Sequence, residues 1–187
     1  LQSDAADSSP ALLPTRTNAL FMVAATAPPF MVVHSAVPRM DRAIAVVEAS
    51  DSAKELVREA GELAAGVDAE LLLLHVTTED EYSDRRESMA SIPDLNVNYT
   101  IDEAQDGARK FAKDIGRDVL DDIDISPESV GRVGEKGDEI LQFADERDAD
   151  HIFLAGRKRS PTGKAIFGDV TQRIILEFDG AVTVVTT

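Results

Sequence analysis

The chain has 187 residues, the length of a single domain, and carries 35 acidic against 19 basic residues, a net charge of −16. This charge argues against binding to nucleic acid, because a phosphate backbone would be repelled. The sequence has no cysteine, which excludes disulfides and thiolate chemistry, and its three histidines are too far apart to predict a metal site. The carboxylate excess is typical of a salt-adapted protein, with an ordinary acidic cytosolic protein as the alternative.

The first 39 residues are rich in alanine, proline and serine and differ in composition from the rest of the chain. Their apolar part, residues 18–33, is interrupted by Pro28 and Pro29 and is too short for a membrane-spanning helix. A secretory signal beginning near Arg16 is one interpretation. We favour another, in which Met40 is the true start and residues 1–39 are upstream sequence. In either case we expect a disordered extension at residues 1–39 and a folded domain at residues 40–187.

From residue 41 onward, short apolar runs alternate with segments of helical period. The runs predict five buried strands, at residues 44–47, 69–76, 129–134, 151–155 and 181–187. The periodic segments predict helices at residues 52–66, 101–123, 137–147 and 170–178. Ser50 or Asp51 is predicted to cap the first helix and Asp102 the second, whereas the polar residues 77–100 predict a long, lid-like loop. This alternation requires a parallel sheet with helices on both faces.

A glycine-punctuated stretch lies between the fourth predicted strand and the last helix. It contains Gly156, Gly163 and Gly168, and its basic residues are Arg157, Lys158, Arg159 and Lys164. Such a loop can bind phosphate, because small residues let backbone N–H groups approach and a helix N-terminus adds partial positive charge. The alternative is a solvated surface turn whose charges pair with nearby carboxylates.

This stretch, with the short helix and strand that follow it, resembles the C-terminal signature of the universal stress protein family. The resemblance covers residues 40–187. In nucleotide-binding members the signature is Gly, two residues, Gly, nine residues, Gly, then Ser or Thr, and it holds the ATP phosphates. Gly156 matches the first glycine and Gly168 the last. Arg159 replaces the middle glycine, Asp169 replaces the hydroxyl residue, and the spacing is one residue short, so the signature is degenerate.

The resemblance implies a flavodoxin-like, Rossmann-like α/β fold of the adenine nucleotide α-hydrolase type, with five parallel strands in the order 3-2-1-4-5. In that order residues 48–52 and 156–164 face each other at the carboxyl ends of the strands. It further implies that Glu48 contacts the ribose or adenine side and that Val76 packs on adenine. Capping of the first helix is the alternative role for Glu48. The implied nucleotide site comprises Glu48, Ala49, Ser50, Val76, Gly156, Arg157, Arg159, Gly163, Gly168, Asp169, Val170 and Thr171.

We therefore expect a cytoplasmic, haloarchaeal-type stress-response protein that binds ATP, with Mg²⁺, and hydrolyses it little or not at all, since no catalytic base can be named. Asp169 either mimics the phosphate and closes the site or helps to hold Mg²⁺. The alternative function is a dimeric interaction module that has lost nucleotide binding, and an ATP-hydrolysing enzyme is a third hypothesis. The apolar final strand, residues 181–185, would lie at a sheet edge and predicts a homodimer through that strand, as the resemblance also implies. No membrane or nucleic-acid partner is expected.

Overall fold

The computed structural model of the chain describes residues 40–91, 99–156 and 168–186. The predictions for residues 1–39 and for the basic residues between 157 and 164 lie outside these ranges. Within them, strands and helices follow one another in the order β1 (Arg42–Val46), α1 (Asp51–Val67), β2 (Glu70–Thr77), α2 (Glu79–Ala90), α3 (Ile101–Val119), β3 (Glu128–Val133), α4 (Lys136–Glu146), β4 (His151–Gly156), α5 (Asp169–Glu177) and β5 (Ala181–Thr186).

The five strands form one parallel sheet in the order β3-β2-β1-β4-β5, which confirms the predicted fold. The central strand β1 pairs with β2 and with β4, so that Ala45 lies between Leu73 and Phe153. All three of these side chains are fully buried. A strand buried on both faces explains why β1, β2 and β4 are continuous apolar runs rather than alternating ones.

Helices cover both faces of the sheet, and side chains alternate between them along each strand. On one face, Val47 packs in a cluster with Leu56 of α1 and Ala112 of α3. On the other face, Val46 packs in a cluster with residues of α4 and α5 such as Phe143 and Ile174. The described residues thus form two buried apolar clusters, one on each side of the same sheet.

Small residues bring α3 against the sheet. A Cβ atom added to Gly131 of β3 would lie 2.1 Å from the Gln105 carbonyl oxygen and 2.4 Å from the Arg109 nitrogen, both in the α3 backbone. A Cβ atom on Gly116 of α3 would lie 2.4 Å from a methyl carbon of Leu73. At Gly131 the obstructing atoms belong to the backbone, so glycine is required there for α3 to pack where it does. At Gly116 the near atom is the end of the Leu73 side chain, which would have to shift to admit a Cβ atom.

The prediction of a continuous loop over residues 77–100 is wrong, because its first half forms α2. None of the α2 residues is buried, so the helix has no apolar face that a periodic pattern could reveal. It is held at its start by a capping box, in which the Thr78 hydroxyl accepts from the Glu81 N–H and the Glu81 carboxylate accepts from the Thr78 N–H. Residues 92–98 lie outside the described ranges.

The predicted cap of the second long helix is also corrected. Thr100, not Asp102, is the N-cap of α3, and it forms a second capping box with Glu103. Asp102 lies in the first helical turn, where a carboxylate favours the helix dipole without capping it. None of the helices in the described ranges has the length and apolar character needed to span a bilayer.

Candidate functional site

A cavity of about 290 Å³ lies at the carboxyl ends of β1 and β4. It is bounded by Glu48 after β1, by the end of β4 and by the first turn of α5. Its lining residues are Val46, Glu48, Lys136, Ile140, Leu154, Ala155, Gly168, Val170 and Thr171. The parallel topology therefore brings together two segments about 120 residues apart in sequence, because all the strands end at the same edge of the sheet.

Glu48 is held by a residue that sequence reasoning missed. The Lys136 Nζ atom donates a hydrogen bond to Glu48 Oε1 at 3.1 Å, and the two side chains are 27% and 37% exposed, respectively. Lys136 is the first residue of α4, just after β3. In the sequence, Lys136 lies two residues after the predicted strand at 129–134, which indicates the sheet edge where β1 ends but not a contact with Glu48.

The first turn of α5 presents backbone donors to the cavity. Gly168 is the N-cap of this helix and provides no side-chain cap, and its carbonyl oxygen accepts from the Gln172 N–H at 2.9 Å. The N–H groups of the first turn have no carbonyl acceptor within the helix. No described atom lies within 4 Å of the position that a Cβ atom on Gly168 would occupy. Among the described residues, nothing blocks the approach of an anion to this helix end, which carries the partial positive charge of the helix dipole.

Ion pairs fix α4 against α5. The Arg173 guanidinium of α5 lies 3.2 Å from Glu135 and 2.5 Å from Asp138, at the start of α4, and 3.2 Å from Glu177 in its own helix. The hydrogen bonds to Asp138 and Glu177 raise the pKa of Arg173 above its usual value. These contacts link the helix that carries Lys136 to the helix that begins at Gly168, so both cavity walls are positioned together.

The start of α2 lies beside the same cavity. A neighbouring cleft of about 370 Å³ is lined by Thr78 and Asp80 of this segment and shares Lys136 and Val170 with the first cavity. The hydrogen bond from the Thr78 N–H lowers the pKa of Glu81, and the charge of Lys136 acts in the same direction. The two clefts together can hold a longer ligand than the first cavity alone can hold.

The remaining predicted site residues fall in several places. Val76 is 2% exposed and packs in the α4–α5 cluster. Ala49 lines a different cavity, on the opposite face of the sheet. Ser50 is the N-cap of α1, where its Oγ accepts from the Ala53 N–H at 3.2 Å, so Ser50 rather than Glu48 caps that helix.

Gly156 ends β4 and pairs with Thr186 of β5. Asp169 is exposed in the first turn of α5, and Thr171 is 8% exposed in the cavity wall. The predicted residues Arg157, Arg159 and Gly163 lie outside the described residues. Within the described part of the chain, no group of three or more His, Asp or Glu side chains could hold a metal ion.

Residues 40–186 match the family model described as the universal stress protein family. No curated protein is significantly similar to the chain. Among solved structures, the hypothetical protein MJ0577 is 19% identical with a TM-score of 0.59, and the alignment covers 80% of this chain and 98% of that one. A universal stress protein in complex with cAMP is 17% identical with a TM-score of 0.54, covering 80% and 98%. UspA from Lactobacillus plantarum is 19% identical with a TM-score of 0.53, covering 79% and 99%.

Proposed function

This chain belongs to the universal stress protein family, and we propose that it is a stress-response protein that binds ATP or a related nucleotide with little or no hydrolysis. The observation that carries the proposal is the convergence of three groups on one cavity. These are the carboxylate of Glu48, the ammonium of Lys136 and the open N-terminus of α5 at Gly168.

The three groups match the chemistry of a nucleotide. A carboxylate accepts hydrogen bonds from ribose hydroxyls, and an ammonium forms charge-assisted hydrogen bonds with phosphate oxygens. A helix N-terminus without a side chain at its cap lets phosphate approach the backbone N–H groups. That a protein of the same fold was solved in complex with cAMP supports a nucleotide as the ligand.

Slow or absent hydrolysis follows from the same geometry. Glu48 is the one carboxylate among the described residues that line the first cavity, and Lys136 already binds it. A carboxylate oxygen that already accepts a hydrogen bond from Lys136 is poorly placed to accept a proton from an attacking water. Mg²⁺ would then be bound mainly by the nucleotide phosphates.

Calorimetric titration tests the proposal. The full chain is titrated with Mg-ATP and with cAMP at high salt, and the thermal unfolding midpoint is measured with and without each nucleotide. Saturable heat and a raised midpoint are expected, because a ligand that binds only the folded state stabilises it. The absence of both effects for each nucleotide would instead support the dimeric interaction module.

We also propose that the protein forms a homodimer through β5. Its acidic composition favours a cytoplasm of high salt concentration as its location. Among the described strands, β5 lies at the edge of the sheet and pairs only with β4, so its backbone groups can pair with a second copy. A lysine at Val184, a half-exposed position of this edge, should shift the chain towards the monomer in sedimentation experiments. A wild-type chain that sediments as a monomer at every concentration would contradict this assembly.

A further inference from the structure

A second cavity, of about 570 Å³, lies on the other face of the sheet, between the end of β2 and the helices α2 and α3. The alternation of side chains along the strands separates it from the nucleotide cavity. Glu48 faces the nucleotide cavity, whereas its neighbour Ala49 lines the second one. Likewise Val76 packs in the α4–α5 cluster, whereas its neighbour His75 lines the second cavity.

The floor of this cavity is aromatic and apolar. The rings of His75 and Phe111 lie 4.6 Å apart between centroids, at an angle of 54°. Ala104 and Ala108 of α3 line the wall beside them and are 2% and 4% exposed. Gly107 also lines the cavity, and no described atom lies within 4 Å of the position that its Cβ would take. A flat ring therefore has both a stacking surface and free volume here.

His75 lines this cavity and has a ring nitrogen that can accept a hydrogen bond. Its Nδ1 atom lies 2.7 Å from the carbonyl oxygen of Val47. A carbonyl oxygen can only accept, so Nδ1 carries the hydrogen and Nε2 of the neutral ring has a free lone pair. No described residue forms a hydrogen bond with Nε2.

The charged side chains that line the cavity differ in whether they already have hydrogen-bond partners. Glu81 and Glu103 both close capping boxes, accepting from the Thr78 N–H at 2.8 Å and from the Thr100 N–H at 2.9 Å. Arg85 lines the cavity and has no hydrogen bond or ion pair with any residue in the described ranges. In a chain with a net charge of −16, a guanidinium beside an aromatic floor that has no carboxylate partner among the described residues can bind an external anion.

We propose that this second cavity is a binding site for a small planar aromatic acid that carries a hydroxyl group. The ring stacks on Phe111, the carboxylate forms charge-assisted hydrogen bonds with Arg85, and the hydroxyl donates to His75 Nε2. The site is separate from the nucleotide cavity, and the proposal does not depend on nucleotide binding.

The test uses 6-hydroxy-2-naphthoate, a fluorescent acid of this class, titrated into the full chain. One molecule should bind per chain, with a Kd below about 1 mM for a ligand of this size. Gly107→Leu places a side chain in the free volume and should abolish binding. Its control, Gly66→Leu, makes the same change in α1 at another position with no described atom within 4 Å, and should bind normally. Both variants should keep the thermal midpoint of the wild type or exceed it, because leucine favours a helix more than glycine.

The charge is tested by a second matched pair. Arg85→Gln should weaken binding of the probe at least tenfold. Arg86→Gln, which changes the next residue of α2 and does not line the cavity, should bind the probe like the wild type. Saturating Mg-ATP should leave the affinity unchanged. The proposal is overturned if the wild type does not bind the probe, if Gly107→Leu binds as well as Gly66→Leu, if the two arginine variants behave alike, or if ATP displaces the probe.

Discussion

Replacing Lys136 by methionine separates the binding role of this residue from its structural role. Methionine keeps the length and helix preference of the side chain and removes only its charge and donor hydrogens. In the free protein this breaks the 3.1 Å contact between Lys136 Nζ and Glu48 Oε1. In the complex it removes the ammonium of a residue that lines the same cavity as Gly168.

The two effects differ in size. At 3.1 Å the gross attraction of the pair is about 1–5 kcal/mol for effective dielectric constants between 80 and 20. Both side chains are more than a quarter exposed, so desolvation and side-chain entropy reduce the net stabilisation to about 0.2–1 kcal/mol. A hydrogen bond from a charged donor to a bound phosphate contributes more, about 1.5–3 kcal/mol. Loss of that bond weakens binding roughly 10- to 150-fold.

Urea unfolding and calorimetric titration with Mg-ATP measure the two quantities on the same variant. The matched control is Lys54→Met, because Lys54 forms an ion pair of almost equal length, 3.0 Å to Asp118, away from the cavity. Both variants should lose less than about 1 kcal/mol of stability. Only Lys136→Met should lose nucleotide affinity, and equal affinities for the two variants would refute the role given to Lys136.

Four further predictions follow from the structure. Gly168→Val should leave the unfolding free energy within about 1 kcal/mol of the wild type, because its Cβ meets no described atom, but should weaken nucleotide binding at least tenfold in calorimetry. Gly131→Ala should cost about 3 kcal/mol or more in urea unfolding, because the added carbon would lie 2.1 Å from the Gln105 carbonyl oxygen; a loss below 1 kcal/mol would contradict the close packing. The hydrogen bond from the Thr78 N–H lowers the pKa of Glu81 below its usual 4.5. The ionised carboxylate therefore stabilises the fold above pH 4.5, and this stabilisation is lost as the pH falls below that value. In an acid titration followed by circular dichroism, Glu81→Gln should reduce the change in signal below pH 4.5. The thermal midpoint of unfolding should rise with the KCl concentration, because the acidic side chains that give the net charge of −16 then repel one another less. The screening length falls from ~10 Å at 0.1 M to ~3 Å at 1 M. A midpoint independent of salt would argue for an ordinary acidic protein.

The sheet could be predicted from the sequence because its strands are buried on both faces. Runs such as Leu71–Leu74 are too short and too apolar to be surface helices, and their alternation with amphipathic segments leaves few topologies. The helix α2 could not be found in the same way, because it buries no residue. Its signal was local, a threonine at position 78 followed three residues later by a glutamate, and it was obscured by the polar composition of the whole segment.

The site was predictable only as far as topology determines it. The order of the strands places Glu48 beside Gly168, Val170 and Thr171, and their role in binding a nucleotide stays a prediction. Lys136 could not be assigned, because its reach to Glu48 depends on how far α4 extends over the sheet. Ala49 was grouped with Glu48 by its position in sequence, although it lines the cavity on the opposite face of the sheet.

The most direct test of the account is an NMR titration of the isotope-labelled chain with ATP, which locates the ligand as well as detecting it. The largest amide shifts are expected at Glu48, Lys136 and the first turn of α5, Gly168 to Thr171, with smaller shifts across α3. Saturable shifts that leave these amides unmoved, or no shifts at all, would contradict the claim that the ends of β1 and β4 form a nucleotide site.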